Sequence, residues 1–596
     1  PALTGRGARS ISVRKKRGAL NLFFEYTVTI AQYGIFLLSV AIIVRCIRSM
    51  LNERYEPEVW AYISRKKEHI PICHWENTLG RSPFSDIRID SPSLNRVHAV
   101  LTRNDKGVWK IYDIFSKGGV WVNGVKVGMG GTALRSGDVL NLAGNVVRFS
   151  DISTEQKKQL EARRTRAGQA VSPSVTLFEL SLFELCLMVE HLIYTQSEYA
   201  ASIALAFAGL VLLQWLCYYA MRLMGRSGFE VETLAFYLSA LGMSIAASST
   251  PEDIAKQFIL TLIGVLLFLF GGWWLRNLKR TAAMRVPVGI LAMLLLGLNV
   301  LTSDAVFGAR NWLEIGGFSF QPSEFVKVFY IYVGSSTLDR LYRSKNLYSF
   351  IFYSAACVVA LALIGDFGTA FVFFVSFLVI SFMRSGSIAT VMLALSGAGL
   401  AGFLAISIKP YIADRFSIWG HVWEDIYDKG YQQTRAMSAA ASGGLFGKGA
   451  GNGWLHTVFA ANTDMVFEET CEELGLSIVI CLVLAVLTLA FFAVRSARNG
   501  RSAFYSIAAC AAMSMMLIQL GLNVFGSLDI LPFTGVTFPF VSRGGSSLLS
   551  CWMLIAYVKA ADTRREASFA VRNIDRIERL EDDDDDFYDD GEEEDY

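Results

Sequence analysis

No C-x-x-C pair occurs anywhere in this chain. Its nine cysteines stand singly, from Cys46 to Cys551, so neither a zinc site nor a disulfide framework is indicated. Charge is also sparse. Asp, Glu, Lys and Arg make up 18% of the residues and gather between apolar runs rather than within them. The formal net charge of +2 gives no reason to expect a nucleic-acid partner. No small-residue cleavage site follows the first apolar run, and with Pro1 in place of methionine the start is expected to be processed or truncated. Apolar side chains are what the sequence does have, at 53% of 596 residues with a mean hydropathy of +0.39. That composition indicates a polytopic α-helical membrane protein.

In chain order, Arg14-Lys15-Lys16-Arg17 precedes an apolar stretch from about Leu20 to Val44. At ~1.5 Å per residue it can cross a ~30 Å hydrocarbon core, so residues 1–50 read as a membrane anchor. Residues 70–152 change character: short β-branched runs at Asp86–Ile89, Ala99–Leu101, Val108–Ile111 and Val120–Val122 alternate with Gly, Asn and Asp turns. Such spacing predicts an inserted soluble β-sandwich. A basic linker over 153–175 carries Lys157, Lys158, Arg163, Arg164 and Arg166. Two accessory spans in 176–228 and a bundle of about ten over 229–562 follow, with apolar runs beginning at Leu177, Tyr199, Val231, Gln257, Val286, Phe325, Leu347, Thr369, Ile388, Leu476, Phe504 and Leu548. The first of these is weakened by Glu179, Glu184, Glu190 and His191. Residues 563–596 end in an acidic run that reads as a disordered tail.

Basic loops at Arg276–Arg285, Arg340–Lys345, Arg384, Arg495–Arg501 and Lys559–Arg565 fall on every second connection, which places them in the cytoplasm. By the same parity the sandwich and the acidic tail are cytoplasmic, although Arg14–Arg17 argue against the orientation this gives the first anchor. The polar passage from Lys409 to Gly475 is then extracytoplasmic. Its length inside a bundle points to a folded functional loop.

Four groups of residues can carry chemistry on that outer side. They are Arg310–Trp312 with Gln321–Lys327, where Glu324 and Lys327 lie one turn apart; Asp366 with Thr369; the loop's Tyr431, Gln432, Lys448, Thr463, Asp464, Glu472 and Glu473; and Ser542, Arg543, Ser546 and Ser547. Each has an ordinary structural explanation as a helix cap or an ion pair, but together on one side they can line one cavity.

Two resemblances attach to these residues. Gly80-Arg81, Asn95-Arg96-Val97-His98, Asp113 with Ser116–Gly119, and Asn123-Gly124 resemble a forkhead-associated (FHA) domain. This implies a phosphothreonine-reading module using Arg81, Asn95, Arg96, Lys117 and Asn123, with a threonine-phosphorylated protein as partner. Asn95 stands where the family has Ser, and Lys117 where it has Asn. The alternative is a docking domain without phosphate affinity.

From about Val231 to Asp562 the chain resembles the SEDS family of peptidoglycan glycosyltransferases, the RodA and FtsW kind. The resemblance runs through R-x-W-x-x-x-G-x-x-x-x-Q-P-S-E-x-x-K at Arg310, D-x-G-T at Asp366, G-Y-Q at Gly430, S-G-G-L-F-G-K-G at Ser442, T-D at Thr463, E-E-L-G at Glu472 and P-F-x-S-x-G-G-S-S at Pro539. Departures occur at Met465–Thr470, Arg435 and Arg543. The family relationship implies that lipid II, a disaccharide-peptide on undecaprenyl pyrophosphate, is polymerised into glycan during elongation, division or sporulation. Asp464 is then the catalytic residue and the other outer-side residues bind substrate; a divalent cation, Mg or Mn, is an optional cofactor. A class B penicillin-binding protein is the implied partner. The competing readings are a transporter or flippase of lipid-linked precursors and a non-catalytic recruitment scaffold. A transporter wants its charges near the bilayer midplane, and a scaffold has no need of Asp464.

Overall fold

The computed structural model describes residues 4–569, apart from 53–58, 66–67, 84, 105–106, 115, 129, 154, 157–158, 161–170, 227, 304–310, 316–317, 339–343, 386–387, 409, 501 and 565–567. The expectations for Lys157, Lys158, Arg163, Arg164, Arg166, Arg310, Arg340, Arg343, Arg501 and Arg565, and for the tail beyond Phe569, fall outside the described residues.

Helix α1 (Thr4–Asn52) leads into a sandwich of eleven strands: β1 (Ala61–Arg65), β2 (Glu68–Ile72), β3 (Glu76–Gly80), β4 (Ile87–Arg88), β5 (Ala99–Arg103), β6 (Trp109–Asp113), β7 (Val120–Val122), β8 (Val125–Lys126), β9 (Thr132–Leu134), β10 (Val139–Leu142) and β11 (Asn145–Asp151). One sheet runs β2-β1-β11-β10-β7-β8 and the other β4-β3-β5-β6-β9, with β3–β4 the parallel pair. Period-two alternation places Ile63, Leu79, Leu101, Trp109, Ile111, Leu140 and Phe149 between the sheets. The sandwich starts at β1, which pairs with both β2 and β11, and so ahead of the expected residue 70. Only Ala61 and Ile63 of that strand are buried, too little for the pattern to betray it.

The helical part continues with α2 (Pro173–Tyr194), α3 (Ala200–Leu223), α4 (Glu230–Ser249), α5 (Ile254–Leu275), α6 (Leu278–Ala283), α7 (Arg285–Thr302), a hairpin β12 (Leu313–Ile315) and β13 (Phe318–Phe320), α8 (Pro322–Leu338), α9 (Ser344–Ile364), α10 (Phe367–Ser385) and α11 (Ile388–Ile408). The long polar passage folds into α12 (Pro410–Ile418), α13 (Tyr431–Gly443), α14 (Ala461–Asp464) and α15 (Val466–Leu474). Helices α16 (Leu476–Arg498), α17 (Ala503–Ser527) and α18 (Gly545–Ala561) complete the bundle.

Among the described residues nine helices are long and apolar enough to cross a membrane. Helices α2, α8, α11 and α18, expected as spans, are not among them. In α2 the reason is visible: Glu184 accepts from Gln214 of α3 (3.1 Å), Glu190 accepts the Ala450 N–H (2.8 Å) and Glu179 pairs with Arg45 of α1 (2.8 Å). Those carboxylates face protein, where partners offset part of their desolvation. Helices α8 and α18 are 17 residues each and pack inside the bundle.

The bundle has two distinct ends. Helix α10 opens at Phe367 beside Asp366, and its Arg384 lies 3.8 Å from Glu76 of the sandwich. His74 of the sandwich also donates to the Gly500 carbonyl between α16 and α17 (2.6 Å). The sandwich therefore rests on one end, and the acidic motifs gather at the other, ~28 Å away by the ~1.5 Å rise of the 19-residue α10.

Candidate active site

Each helix start at the far end is built to present polar groups. Pro322 opens α8 with its fixed φ and absent N–H, leaving Ser323 and Glu324 in the first turn. Asp366 caps α10, its Oδ1 accepting the Thr369 N–H at 2.9 Å, three positions on. Its Oδ2 accepts from the Gln321 side chain at 3.2 Å, and the Gln321 N–H donates to Ser546 Oγ of α18 at 3.3 Å. Glu324 and Lys327 form the ion pair that their spacing predicts, 2.7 Å apart and almost fully buried. Ser550 of α18 donates to the same carboxylate at 2.7 Å. Three helix starts are thus joined by one hydrogen-bonded network.

Above this network sits Asp464, the last residue of the short α14. Asn523, a polar side chain within α17, donates both to the Asp464 carbonyl (3.0 Å) and to the Val536 carbonyl (2.9 Å). Ser542 Oγ donates to the Thr463 carbonyl and accepts the Phe538 N–H, tying the Thr463-Asp464 pair to the Phe538–Ser542 segment. Thr537 and Ser547 share a further hydroxyl bond (3.0 Å). Gly368 lets that segment lie against α10, since a Cβ there would come 2.5 Å from Val536 Cγ2.

The Asp464 carboxyl is partly accessible, and burial raises it from 3.8 to about 6, moderated by the Thr463 hydroxyl and by the Arg415 guanidinium; the Asp366 charge pushes the same way as burial. Asp366 is raised too, chiefly by burial. Arg415 of α12 is anchored on the Phe533 carbonyl at 2.9 Å.

The structure therefore brings Gln321, Ser323, Glu324, Lys327, Asp366, Thr369, Thr463, Asp464, Ser542, Ser546 and Ser547 to one end of the bundle. Other expected substrate contacts have partners within the protein. Lys448 pairs with Glu472 (2.7 Å), whose other oxygen accepts the N–H groups of Trp454 and Leu455. Glu473 accepts from Ser248 and from the Gly451 N–H. These two carboxylates fold the loop over residues 448–455. Arg543 is held by Asp253 at 2.7 Å, Gln432 donates to the Phe459 carbonyl, and the half-exposed Tyr431 lies under the Arg435 guanidinium. Trp312 is exposed beside the β12–β13 hairpin. Asn123 of the sandwich is likewise occupied, donating to Asp138 and accepting the Val139 N–H.

Arg415 and Asn523 escaped the sequence reading. Asn523 had a usable signal, an amide inside an apolar run, whereas Arg415 looked like one more loop cation. Among the described residues no group of three or more His, Cys, Asp or Glu is placed to hold a metal ion, and both Asp366 oxygens are already bonded. The optional divalent cation thus finds no ready-made cage here.

The sequence model of the cell cycle protein family that groups FtsW, RodA and SpoVE matches residues 231–567, and that of the FHA domain matches residues 77–143. The peptidoglycan glycosyltransferase RodA of Mycobacterium tuberculosis is 28% identical over 320 residues, 50% of this chain and 68% of the relative. A probable peptidoglycan glycosyltransferase FtsW of Escherichia coli is 30% identical over 348 residues, 53% of this chain and 81% of the relative. The crystal structure of Thermus thermophilus RodA aligns with 56% of this chain and 95% of its own, at 23% identity and a TM-score of 0.42. More than half of the chain is matched by one family model and the curated relatives share its activity name, so this protein belongs to the FtsW/RodA/SpoVE family of peptidoglycan glycosyltransferases and carries an FHA domain ahead of the family's bundle.

Proposed function

We propose that Asp464 is the general base with which this peptidoglycan glycosyltransferase joins lipid II units into glycan. The supporting observation is a partly accessible carboxyl raised to about 6, set near a network of helix starts on a backbone held by Asn523. Near neutral pH such a group is largely ionised yet basic enough to take a proton. The acceptor sugar's hydroxyl gives its proton to Asp464 as its oxygen bonds to the donor's anomeric carbon. The bond from that carbon to the pyrophosphate oxygen breaks, and the lipid pyrophosphate leaves with the electron pair. Pyrophosphate is a stable anion that needs little protonation, so a second carboxylic acid of the glycosidase kind is unnecessary.

Arg415 is a cation whose charge reaches Asp464 and would favour a developing anion, whereas Lys327 is already paired with Glu324. Lys448 and Arg543 are likewise paired, with Glu472 and Asp253, which supports a role in holding the loop. Exposed apolar side chains along the bundle suit the prenyl tails, at ~0.8 kcal/mol per buried CH₂. The distribution of basic loops supports an Asp464 end outside the cytoplasmic membrane and an FHA domain inside. A class B penicillin-binding protein is the partner this reading requires for crosslinking, and the FHA domain takes a threonine-phosphorylated protein at Arg81, Arg96 and Lys117.

The test is polymerisation of purified lipid II in detergent. Asp464→Ala is expected to lose activity by at least ~100-fold while remaining folded. Full activity of that variant ends the assignment.

A further inference from the structure

The FHA domain's ligand loops carry cations that nothing in the described structure neutralises. His98, buried, ties these loops together: its Nδ1 accepts the Asn95 N–H (3.2 Å), and its Nε2 lies 3.3 Å from the Gly119 carbonyl. The Arg81 N–H donates to the Asn95 carbonyl and the Ser82 N–H to the Arg96 carbonyl, both at 3.1 Å. A Cβ on Gly119 would lie 3.3 Å from the Lys126 side chain. Arg81, Arg96, Lys117 and Lys126 are therefore displayed, all exposed, around one loop cluster. Among the described residues none of the four is within ion-pair distance of a carboxylate. The bundle's Lys327, Lys448, Arg543, Lys559 and Arg564 each are.

The chain itself supplies the opposite charge. Residues 581–596 contain twelve Asp and Glu and no Lys or Arg. Where that segment departs from the bundle is fixed by three contacts. Arg276 donates to the Phe569 carbonyl (3.2 Å), the neighbouring Leu275 carbonyl accepts from Tyr505 (2.7 Å), and Tyr505 opens α17 five residues after Gly500, on which His74 of the sandwich rests. The last described residue thus lies beside the sandwich's own footing. Strand β3 climbs from Glu76 at that footing to Gly80 at the ligand loops, ~15 Å at ~3.3 Å per residue. The eleven residues between Phe569 and Glu581 span up to ~40 Å when extended. Length is no obstacle, and a tether this short holds the acidic segment at an effective concentration on the order of millimolar.

We propose that the acidic segment 581–596 occupies the Arg81/Arg96/Lys117/Lys126 face of the FHA domain in the same chain, as a built-in competitor for any phosphorylated ligand. The attraction is a multi-charge contact at a solvent-exposed surface, so it is graded by salt and reversible. Occupancy by the tail does not depend on whether the same loops also read phosphothreonine.

The experiment uses the full-length protein in detergent and a fluorescent synthetic peptide of residues 570–596 as probe. In one variant the twelve acidic residues of 581–596 are replaced by Asn and Gln. That variant is expected to bind the peptide at least tenfold more tightly than the native chain, whose own tail fills the site. Adding Arg81→Glu and Lys117→Glu to it is expected to weaken binding at least tenfold, with Arg96→Glu and Lys126→Glu, made separately, as a second pair on the same surface. Equal binding by the native and neutral-tail chains overturns the proposal. So does binding that neither pair of reversals alters, which places the peptide on the basic linker instead.

Discussion

A Cβ on Gly535 would stand 3.1 Å from Oδ2 of Asp464, and Gly535 has a φ of +66°. The Leu531–Val541 segment passes this close to the carboxylate only because the residue there has no side chain and tolerates left-handed backbone. Gly535→Ala therefore meets both a crowded carboxylate and a strained conformation. It is expected to cut lipid II polymerisation at least ~10-fold with secondary structure intact. Gly521→Ala, in the middle of α17 with nothing nearer than the Phe525 ring at 4.0 Å, serves as control and is expected to keep activity. Comparable losses in the two would show that backbone freedom at Gly535 is unimportant.

The raised Asp464 carboxyl gives a pH dependence of definite sign. Its native pKa is about 6 against an ordinary 3.8, so the ionised base and hence turnover should increase as pH rises through about 6 and then level off. Stability runs the other way. The native state holds the proton more tightly than the unfolded chain, so this group's contribution to stability declines as pH rises from about 4 to about 6 and stays low above. Asp464→Asn should melt at or above the wild-type temperature at pH 8, with the difference shrinking towards pH 4. A variant melting well below wild type at pH 8 contradicts a desolvated carboxylate.

Arg415 acts on the same equilibrium. Its charge lowers the Asp464 pKa, so Arg415→Ala should move the acid limb of the activity profile to higher pH and reduce the plateau rate. Arg543→Ala disturbs a pair with Asp253 and should leave the limb where it is. Profiles from the two variants that superimpose would remove Arg415 from the site.

Glu324 and Lys327 are buried 2.7 Å apart, and removing either leaves a charge without its partner. Lys327→Met should destabilise the bundle by ~3–5 kcal/mol, read as a loss of thermal stability in detergent, and Glu324→Gln by less because the amide still accepts from Ser550. Lys327→Arg is expected to restore part of the loss. A Lys327→Met protein as stable as wild type would mean that the pair is dispensable.

Much of this protein was legible in one dimension. Hydrophobic runs of about twenty residues marked the bundle because a chain crossing hydrocarbon has few options, and the fixed order of short motifs carried the family from Arg310 to Ser547. Strand alternation likewise exposed the sandwich, though not its first strand. The family resemblance also singled out Asp464. What the sequence left open was which polar residues meet. Lys448, Glu472, Glu473 and Arg543 looked equivalent to Glu324 and Asp366 as charges near the outer face, yet the fold pairs the first four with one another, with loop amides and with Asp253. It sets the other two among helix starts beneath Asp464. The physical reason is range. Hydropathy and helical period are set by neighbours within a few residues, whereas a carboxylate's role depends on groups up to hundreds of positions away that only packing can bring within 3 Å.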